Sequence, residues 1–151
     1  MPSYSTTRRV AHSAADMFEL VADAEKYPRF VPLCAALRIR GRQDLGEGRE
    51  VLVADMTVSF KLVRETFTSR VLLDRPANLI RVTYLDGPFR HLDNVWTFVP
   101  TGEKACDVGF SIDYEFKSRT LGAIMGAMFD RAFRKFAEAF ETRADEVYGR
   151  G

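Results

Sequence analysis

Apolar side chains toward the end of the chain recur every third or fourth residue, the spacing that places them on one face of an α-helix. Charged residues fill the opposite face, so the pattern predicts one long amphipathic helix over residues 118–148. Ser118 or Thr120 can cap its first amides, and Gly149 follows where a helix end favours a left-handed residue. Such a helix would run roughly 40 Å and needs a long surface beneath it.

The rest of the chain predicts a second, shorter helix and seven strands. Residues 4–10 alternate weakly and form a first strand, after which Ser13 caps a short helix that ends near Asp23. From Ala35 onward, apolar and polar side chains alternate through six more strands, most clearly over residues 106–116. In the strand near residue 65 this alternation turns Glu65 inward, where a carboxylate needs a partner.

The order of these elements predicts the fold class. Short turns between successive strands imply an antiparallel meander, and the alternation leaves one face of the sheet dry. Strands of about ten residues span roughly 33 Å, which matches the long helix. We therefore expect an α+β fold in which a curved antiparallel seven-stranded sheet wraps around the C-terminal helix, with residues 1–151 forming one domain.

The apolar face of the long helix changes character along its length. Its first half carries glycine and alanine around Met125, Met128 and Phe129, whereas its second half is built on phenylalanine. Small residues leave space and methionine adapts to what fills it. Either this half packs closely on the sheet, or it roofs a cavity for an apolar ligand.

A second apolar segment, residues 27–34, is interrupted by Pro28 and Pro32. Proline disfavours helix at the residue before it, so at most one helical turn fits between the two. The segment either plugs one end of the core or forms the lip of a pocket. As a lip, Phe30, Val31 and Leu33, with Arg29 beside them, could also touch a membrane transiently.

Composition excludes several classes of function. The 151 residues carry 22 Lys and Arg against 21 Asp and Glu. The net charge is therefore close to zero and does not attract DNA or an anionic bilayer. We expect Cys34 and Cys106 to be reduced and buried, and no spacing of cysteine or histidine predicts a metal site. No membrane span or secretory signal is recognisable, which favours a cytoplasmic protein, with peripheral contact at the inner membrane as the alternative.

Three segments resemble a known family. They are the proline-broken segment 27–34, the strand entry Gly87, Pro88, Phe89 with Asn94 and Trp96 after it, and the helix ending from Phe140 to Gly149. Together they resemble the coenzyme Q-binding, RatA-type branch of the START (polyketide cyclase-like) superfamily, over almost the whole chain. Leu33 departs from that pattern, because many relatives have tryptophan there.

The resemblance implies a helix-grip fold with an apolar tunnel. It also implies a function: non-catalytic binding of ubiquinone or a similar polyisoprenoid lipid in support of respiratory electron transport, with no other cofactor. The residues that we predict to bind this ligand are Phe30, Val31, Leu33, Met56, Val58, Phe67, Tyr84, Phe89, Asn94, Trp96, Phe110, Tyr114, Met125, Met128 and Phe129. Asn94, Tyr84, Tyr114 and Glu65 are the polar candidates for contact with a quinone ring.

Two other functions stay open. A RatA-type protein would bind the large ribosomal subunit and block subunit joining, for which the basic residues Arg8, Arg9, Arg38, Arg40, Arg42, Arg49, Arg131, Arg134 and Lys135 are candidates. A polyketide cyclase-like enzyme would need an acid or base aimed into the cavity. His91 falls on the polar side of its strand and His12 precedes a helix cap, so we predict no catalytic residue.

Overall fold

The computed structural model describes residues 3–60 and 62–149. In chain order its elements are β1 (Ser3–Val10), α1 (Ala14–Ala22), a 3₁₀ helix (Ala24–Arg29), β2 (Cys34–Gly46), β3 (Arg49–Phe60), β4 (Val63–Asp74), β5 (Leu79–Asp86), β6 (Phe89–Gly102), β7 (Ala105–Phe116) and α2 (Arg119–Tyr148). This order confirms the predicted fold class, since seven strands precede one long helix.

The strands form one antiparallel sheet in the order β1-β7-β6-β5-β4-β3-β2. The meander from β2 to β7 follows from the short turns, and β1 completes the sheet by pairing with β7 over its whole length. Side chains alternate in burial along the central strands, as in β6, where Leu92, Asn94, Trp96 and Phe98 are buried. The concave face that these residues form is covered by α2 and α1.

Both helices begin at the predicted serine caps. The hydroxyl of Ser13 accepts a hydrogen bond from the Asp16 amide, and that of Ser118 accepts one from the Leu121 amide. Ser118, rather than Thr120, is therefore the cap of α2. Gly149 ends this helix with φ +82°, a left-handed value that glycine adopts without steric cost.

Within the segment 27–34 only residues 27–29, the end of the 3₁₀ helix, are helical, in agreement with at most one turn between Pro28 and Pro32. The 3₁₀ helix passes through Pro28 because two successive turns share the segment: the Lys26 amide bonds to the Asp23 carbonyl, and the Phe30 amide bonds to the Tyr27 carbonyl. Pro28 is thus the second residue of the second turn, a position whose N–H makes no hydrogen bond.

The cysteines are free and buried, as predicted. Burial raises the pKa of the Cys34 thiol to about 11 and that of the Cys106 thiol to about 11 as well. Both thiols therefore stay protonated near neutral pH and are poor nucleophiles.

His12, which precedes the helix cap in the sequence, is buried in the structure. It is 5% exposed and lies against the end of α2, where its Nε2 is 2.7 Å from Asp145 Oδ1. His12 comes two residues after β1 ends at Val10, and its ring also lies 6.2 Å from that of Tyr148 near the end of α2. His12 is not part of the cavity wall described below.

None of the helices in the ranges 3–60 and 62–149 has the length and hydropathy needed to cross a bilayer.

Candidate functional site

A cavity of about 100 Å³ lies between the concave face of the sheet and the middle of α2. The sheet contributes Leu37, Ala54, Met56, Val58, Phe67, Ser69, Val71, Ile80, Val82, Leu92, Asn94, Trp96 and Ile112 to its wall. The helices and the segment 27–34 add Val21, Ala22, Ala24, Tyr27, Pro32, Leu33, Phe129, Ala132, Phe133, Phe136 and Phe140.

The wall is almost entirely apolar. Among the described residues that form it, polar atoms in side chains come only from Tyr27, Ser69, Asn94 and Trp96. A cavity with apolar walls stays dry and can accept an apolar guest, and one of about 150 Å³ holds a benzene ring. The site is therefore suited to bind apolar groups, and it offers few groups that could perform acid or base chemistry.

Seven of the predicted ligand-binding residues lie in this wall. They are Leu33, Met56, Val58, Phe67, Asn94, Trp96 and Phe129. The alternation of β3, β4 and β6 turns five of these side chains to the concave face, as expected from the sequence, while Leu33 precedes β2 and Phe129 lies on α2. Their contact with a ligand stays a prediction.

The other eight predicted residues lie outside the wall. They are Phe30, Val31, Tyr84, Phe89, Phe110, Tyr114, Met125 and Met128. Most of them pack elsewhere in the core, and their contact with a ligand also stays a prediction.

An aromatic cluster fills the space under the first half of α2. Phe89 stacks on Phe116 with ring centres 4.7 Å apart, and Phe116 lies 5.2 Å from Phe129. Tyr114 packs against the same group, and Met125 is fully buried beside it. Because these rings occupy the volume, the cavity roof is formed farther along the helix, between Phe129 and Phe140.

The glycines of α2 do not bring the helix closer to the sheet. A side-chain carbon added at Gly122 would meet Phe116 at an ordinary 3.7 Å, and one added at Gly126 would meet no described atom within 4 Å. The small residues that suggested either close packing or a cavity roof therefore lie largely on the outer side of the helix.

Two of the polar candidates have structural roles. The Tyr84 hydroxyl accepts a hydrogen bond from the Phe89 amide at 3.0 Å, which fixes the turn between β5 and β6. The Tyr114 ring is 2% exposed and surrounded by phenylalanines, and this burial raises the pKa of Tyr114. Glu65 is half-buried opposite Val58 on the concave side, but it is not in the cavity wall.

Ser69 is the site residue that the sequence reasoning missed. It is 4% exposed, and its Oγ has no hydrogen-bond partner within the described part of the chain. The alternation of β4 contained the signal, because Ser69 lies between the inward-facing Phe67 and Val71. A buried, unpartnered hydroxyl on an apolar wall is rare and calls for an explanation.

The lip of the cavity is tied to both α2 and β3. Phe30 packs edge-on against Phe140 with ring centres 5.0 Å apart, and the Arg143 guanidinium lies 5.5 Å over the Phe30 ring. The Leu33 carbonyl accepts a hydrogen bond from the Ser59 amide at 3.0 Å. Val31 is buried, so it does not offer an exposed contact for a membrane as the lip hypothesis expected.

Leu33 adopts a strained backbone conformation at this lip. Its φ of +67° is left-handed, which costs about 1–2 kcal/mol for a residue other than glycine. The strain is tolerated because the segment is anchored on both sides, and it directs the Leu33 side chain to the cavity wall.

Comparison with known proteins gives consistent matches over the chain. The family described as polyketide cyclase / dehydrase and lipid transport matches residues 10–141. The ribosome association toxin RatA of Escherichia coli K12 is 34% identical over 148 residues, covering 98% of this chain and 90% of that protein. Mitochondrial coenzyme Q-binding protein COQ10 homolog B of Xenopus laevis is 31% identical, covering 97% of this chain and 59% of that protein.

Among solved structures, the solution structure of an 18 kDa protein from Caulobacter crescentus is similar to this chain throughout. It is 37% identical, with a TM-score of 0.79, and each chain covers 99% of the other.

Proposed function

Since this chain belongs to the polyketide cyclase / dehydrase and lipid transport family, we propose that it is a non-catalytic carrier of an apolar lipid, ubiquinone or a similar polyisoprenoid. The observation that carries the proposal is the apolar cavity between the sheet and α2. The coenzyme Q-binding relative supports the choice of lipid, and transient membrane contact would allow the carrier to exchange it.

The volume of the cavity limits how the lipid binds. At about 100 Å³ it is smaller than the roughly 150 Å³ that holds a benzene ring, so it cannot enclose a whole ubiquinone. Binding therefore requires the lip or the part of α2 between Phe129 and Phe140 to move outward. The lipid would select and stabilise this more open conformation, which the free protein populates as a minor state.

The cavity chemistry supports a carrier more than an enzyme. The hydroxyl of Tyr27 donates to the carbonyl of Val21, and burial raises the pKa of Tyr27, so it is a poor acid or base near neutral pH. Among the described residues of the cavity wall, none carries a carboxylate or imidazole that could act as an acid or base. General acid–base catalysis needs such a group within reach of the substrate.

Ala54→Leu tests the carrier function by filling the cavity. Ala54 is 6% exposed in β3 and faces the cavity, so the larger side chain occupies space that the lipid would use. We expect the variant to fold and to retain at most about one tenth of the ubiquinone that the wild type retains. The measurement is mass spectrometry of organic extracts from protein that is purified without detergent and then exposed to ubiquinone with a short isoprenoid tail.

Ala36→Leu is the matched control, because Ala36 lies in the neighbouring strand β2 but is not in the cavity wall. It should retain as much lipid as the wild type. The proposal fails if the wild-type protein takes up no ubiquinone, or if both leucine variants retain it equally.

Ribosome association is a second candidate, favoured by the similarity to RatA. The surface chemistry supports it less well, because six of the nine predicted basic residues form ion pairs. These pairs are Arg8–Glu141, Arg9–Asp107, Arg40–Asp55, Arg42–Glu25, Arg49–Asp74 and Arg134–Asp130. Neighbouring carboxylates reduce the local positive potential that RNA binding requires.

Sucrose-gradient profiles distinguish this second function from lipid carriage. If the protein blocks subunit joining, an excess of it should lower the peak of joined ribosomes, and the double variant Arg131→Glu, Lys135→Glu should restore that peak. Both side chains are exposed on α2, so the substitutions should leave the fold intact. An unchanged profile with excess wild-type protein would exclude the function.

A further inference from the structure

We propose that the Ser69 hydroxyl is the anchor for an oxygen atom on the ring of the bound ligand, so that the ring enters first and the apolar tail leaves past the lip. This inference rests on the proposed carrier function and specifies which end of the ligand lies inside. The ligand class is a ring that carries a carbonyl or hydroxyl group and an apolar tail.

The unsatisfied hydrogen bond of Ser69 is the first observation. Its Oγ is buried on the cavity wall without a hydrogen-bond partner among the described residues. Leaving such a hydroxyl unpaired costs free energy, whereas alanine at the same position would cost none. A ligand oxygen that accepts the hydroxyl proton would remove this cost.

The neighbouring strands explain why the protein itself does not satisfy Ser69. In the register of the sheet Ser69 lies opposite Ala54 in β3 and Tyr84 in β5. Ala54 has no polar group in its side chain, and the Tyr84 hydroxyl lies at the Phe89 amide and makes no hydrogen bond with Ser69. The hydroxyl is therefore available to a molecule in the cavity.

Asn94 provides a second polar group on the same wall. Its Nδ2 donates to the Ser111 carbonyl at 2.8 Å, which fixes the orientation of the amide. Its carboxamide oxygen can then accept a hydrogen bond from a ligand hydroxyl. Ser69 as donor and Asn94 as acceptor together suit a ring that carries either a carbonyl or a hydroxyl group.

The positions of these groups set the direction of the ligand. Ser69 and Asn94 are 4% and 9% exposed, whereas Pro32 and Leu33 at the lip are only partly buried. An apolar tail beside Leu33 and Met56 meets only apolar side chains, while a polar ring at the same place would lose its hydrogen bonds. The ring therefore belongs at Ser69 and the tail at the lip.

Two ligands with the same carbon skeleton test this anchor. One is 2,3-dimethyl-1,4-naphthoquinone, whose methylated quinone ring does not alkylate thiols, and the other is 2,3-dimethylnaphthalene, which lacks both oxygens. Trp96 is the single tryptophan of the chain and lies in the cavity wall, so the NMR signal of its indole N–H reports binding of either ligand.

Ser69→Ala should weaken binding of the quinone about five- to tenfold, the effect of one lost hydrogen bond, and leave binding of the hydrocarbon unchanged. Ser69→Thr, which keeps the hydroxyl, should retain the preference for the quinone. Ser5→Ala, an exposed serine in β1, is the control and should bind both ligands as the wild type does.

The outcomes separate the anchor from the carrier function. If Ser69→Ala weakens both ligands equally or neither of them, the anchor is wrong while lipid carriage stands. If the wild-type protein binds neither ligand, carriage itself fails, and the anchor fails with it.

Discussion

Phe140→Ala is expected to lower the free energy of unfolding by about 3–5 kcal/mol, the usual cost of truncating a buried phenylalanine. Phe140 is 1% exposed, and its ring meets three others edge-on: Tyr27 at 5.3 Å, Phe30 at 5.0 Å and Trp96 at 4.9 Å. These contacts join α2 both to the sheet and to the lip. Urea unfolding measures the loss of stability.

The same substitution should also free the lip. Without the Phe140 ring, Tyr27 and Phe30 lose their common partner, so backbone amides of residues 27–34 should exchange with solvent deuterium faster. Hydrogen exchange followed by mass spectrometry measures this at the level of peptides.

Phe18→Ala is the matched control for both effects. Phe18 is equally buried, and it packs on Phe98 at 5.6 Å outside the cavity wall. It should lose comparable stability without selective exchange at the lip. Equal exchange of residues 27–34 in the two variants would show that Phe140 does not hold the lip.

Gly87→Ala is expected to destabilise the protein by about 3 kcal/mol, because it combines steric overlap with backbone strain. The added carbon would lie 2.6 Å from Cβ and 2.9 Å from Cα of Phe67, and φ is +141°, which side chains other than glycine rarely tolerate. Part of the overlap is with backbone, so it cannot be relieved by a rotamer change. Calorimetry should show a midpoint lower by roughly 6–12 °C for a chain of this size.

Gly126→Ala, in contrast, is expected to stabilise the protein. No described atom lies within 4 Å of the added carbon, and Gly126 is in the interior of α2. Alanine is favoured over glycine in a helix by about 0.5–1 kcal/mol, so stability should rise. A gain for Gly87→Ala, or a loss at Gly126 as large as that at Gly87, would contradict the packing described for these two positions.

Local patterns determined the fold. The helical spacing and the Ser118 cap set the start of α2, and strand alternation correctly turned Met56, Phe67 and Trp96 toward the concave face. These features depend on neighbours within a few residues, where backbone geometry fixes the direction of each side chain. The sequence alone could therefore specify elements, their order and their dry faces.

Only the tertiary structure decided where the dry faces leave a space. Met125 and Phe129 are both buried on the apolar side of α2, yet only Phe129 reaches the cavity, and Phe89 and Phe116 from distant strands pack against this part of the helix. The unpartnered Ser69 hydroxyl is a result of the same kind, since its neighbours across the sheet are Ala54 and Tyr84, from other strands. Whether a void remains, and whether a buried polar group finds a hydrogen-bond partner, depend on side chains that are far apart in the sequence. No local sequence pattern can therefore predict them.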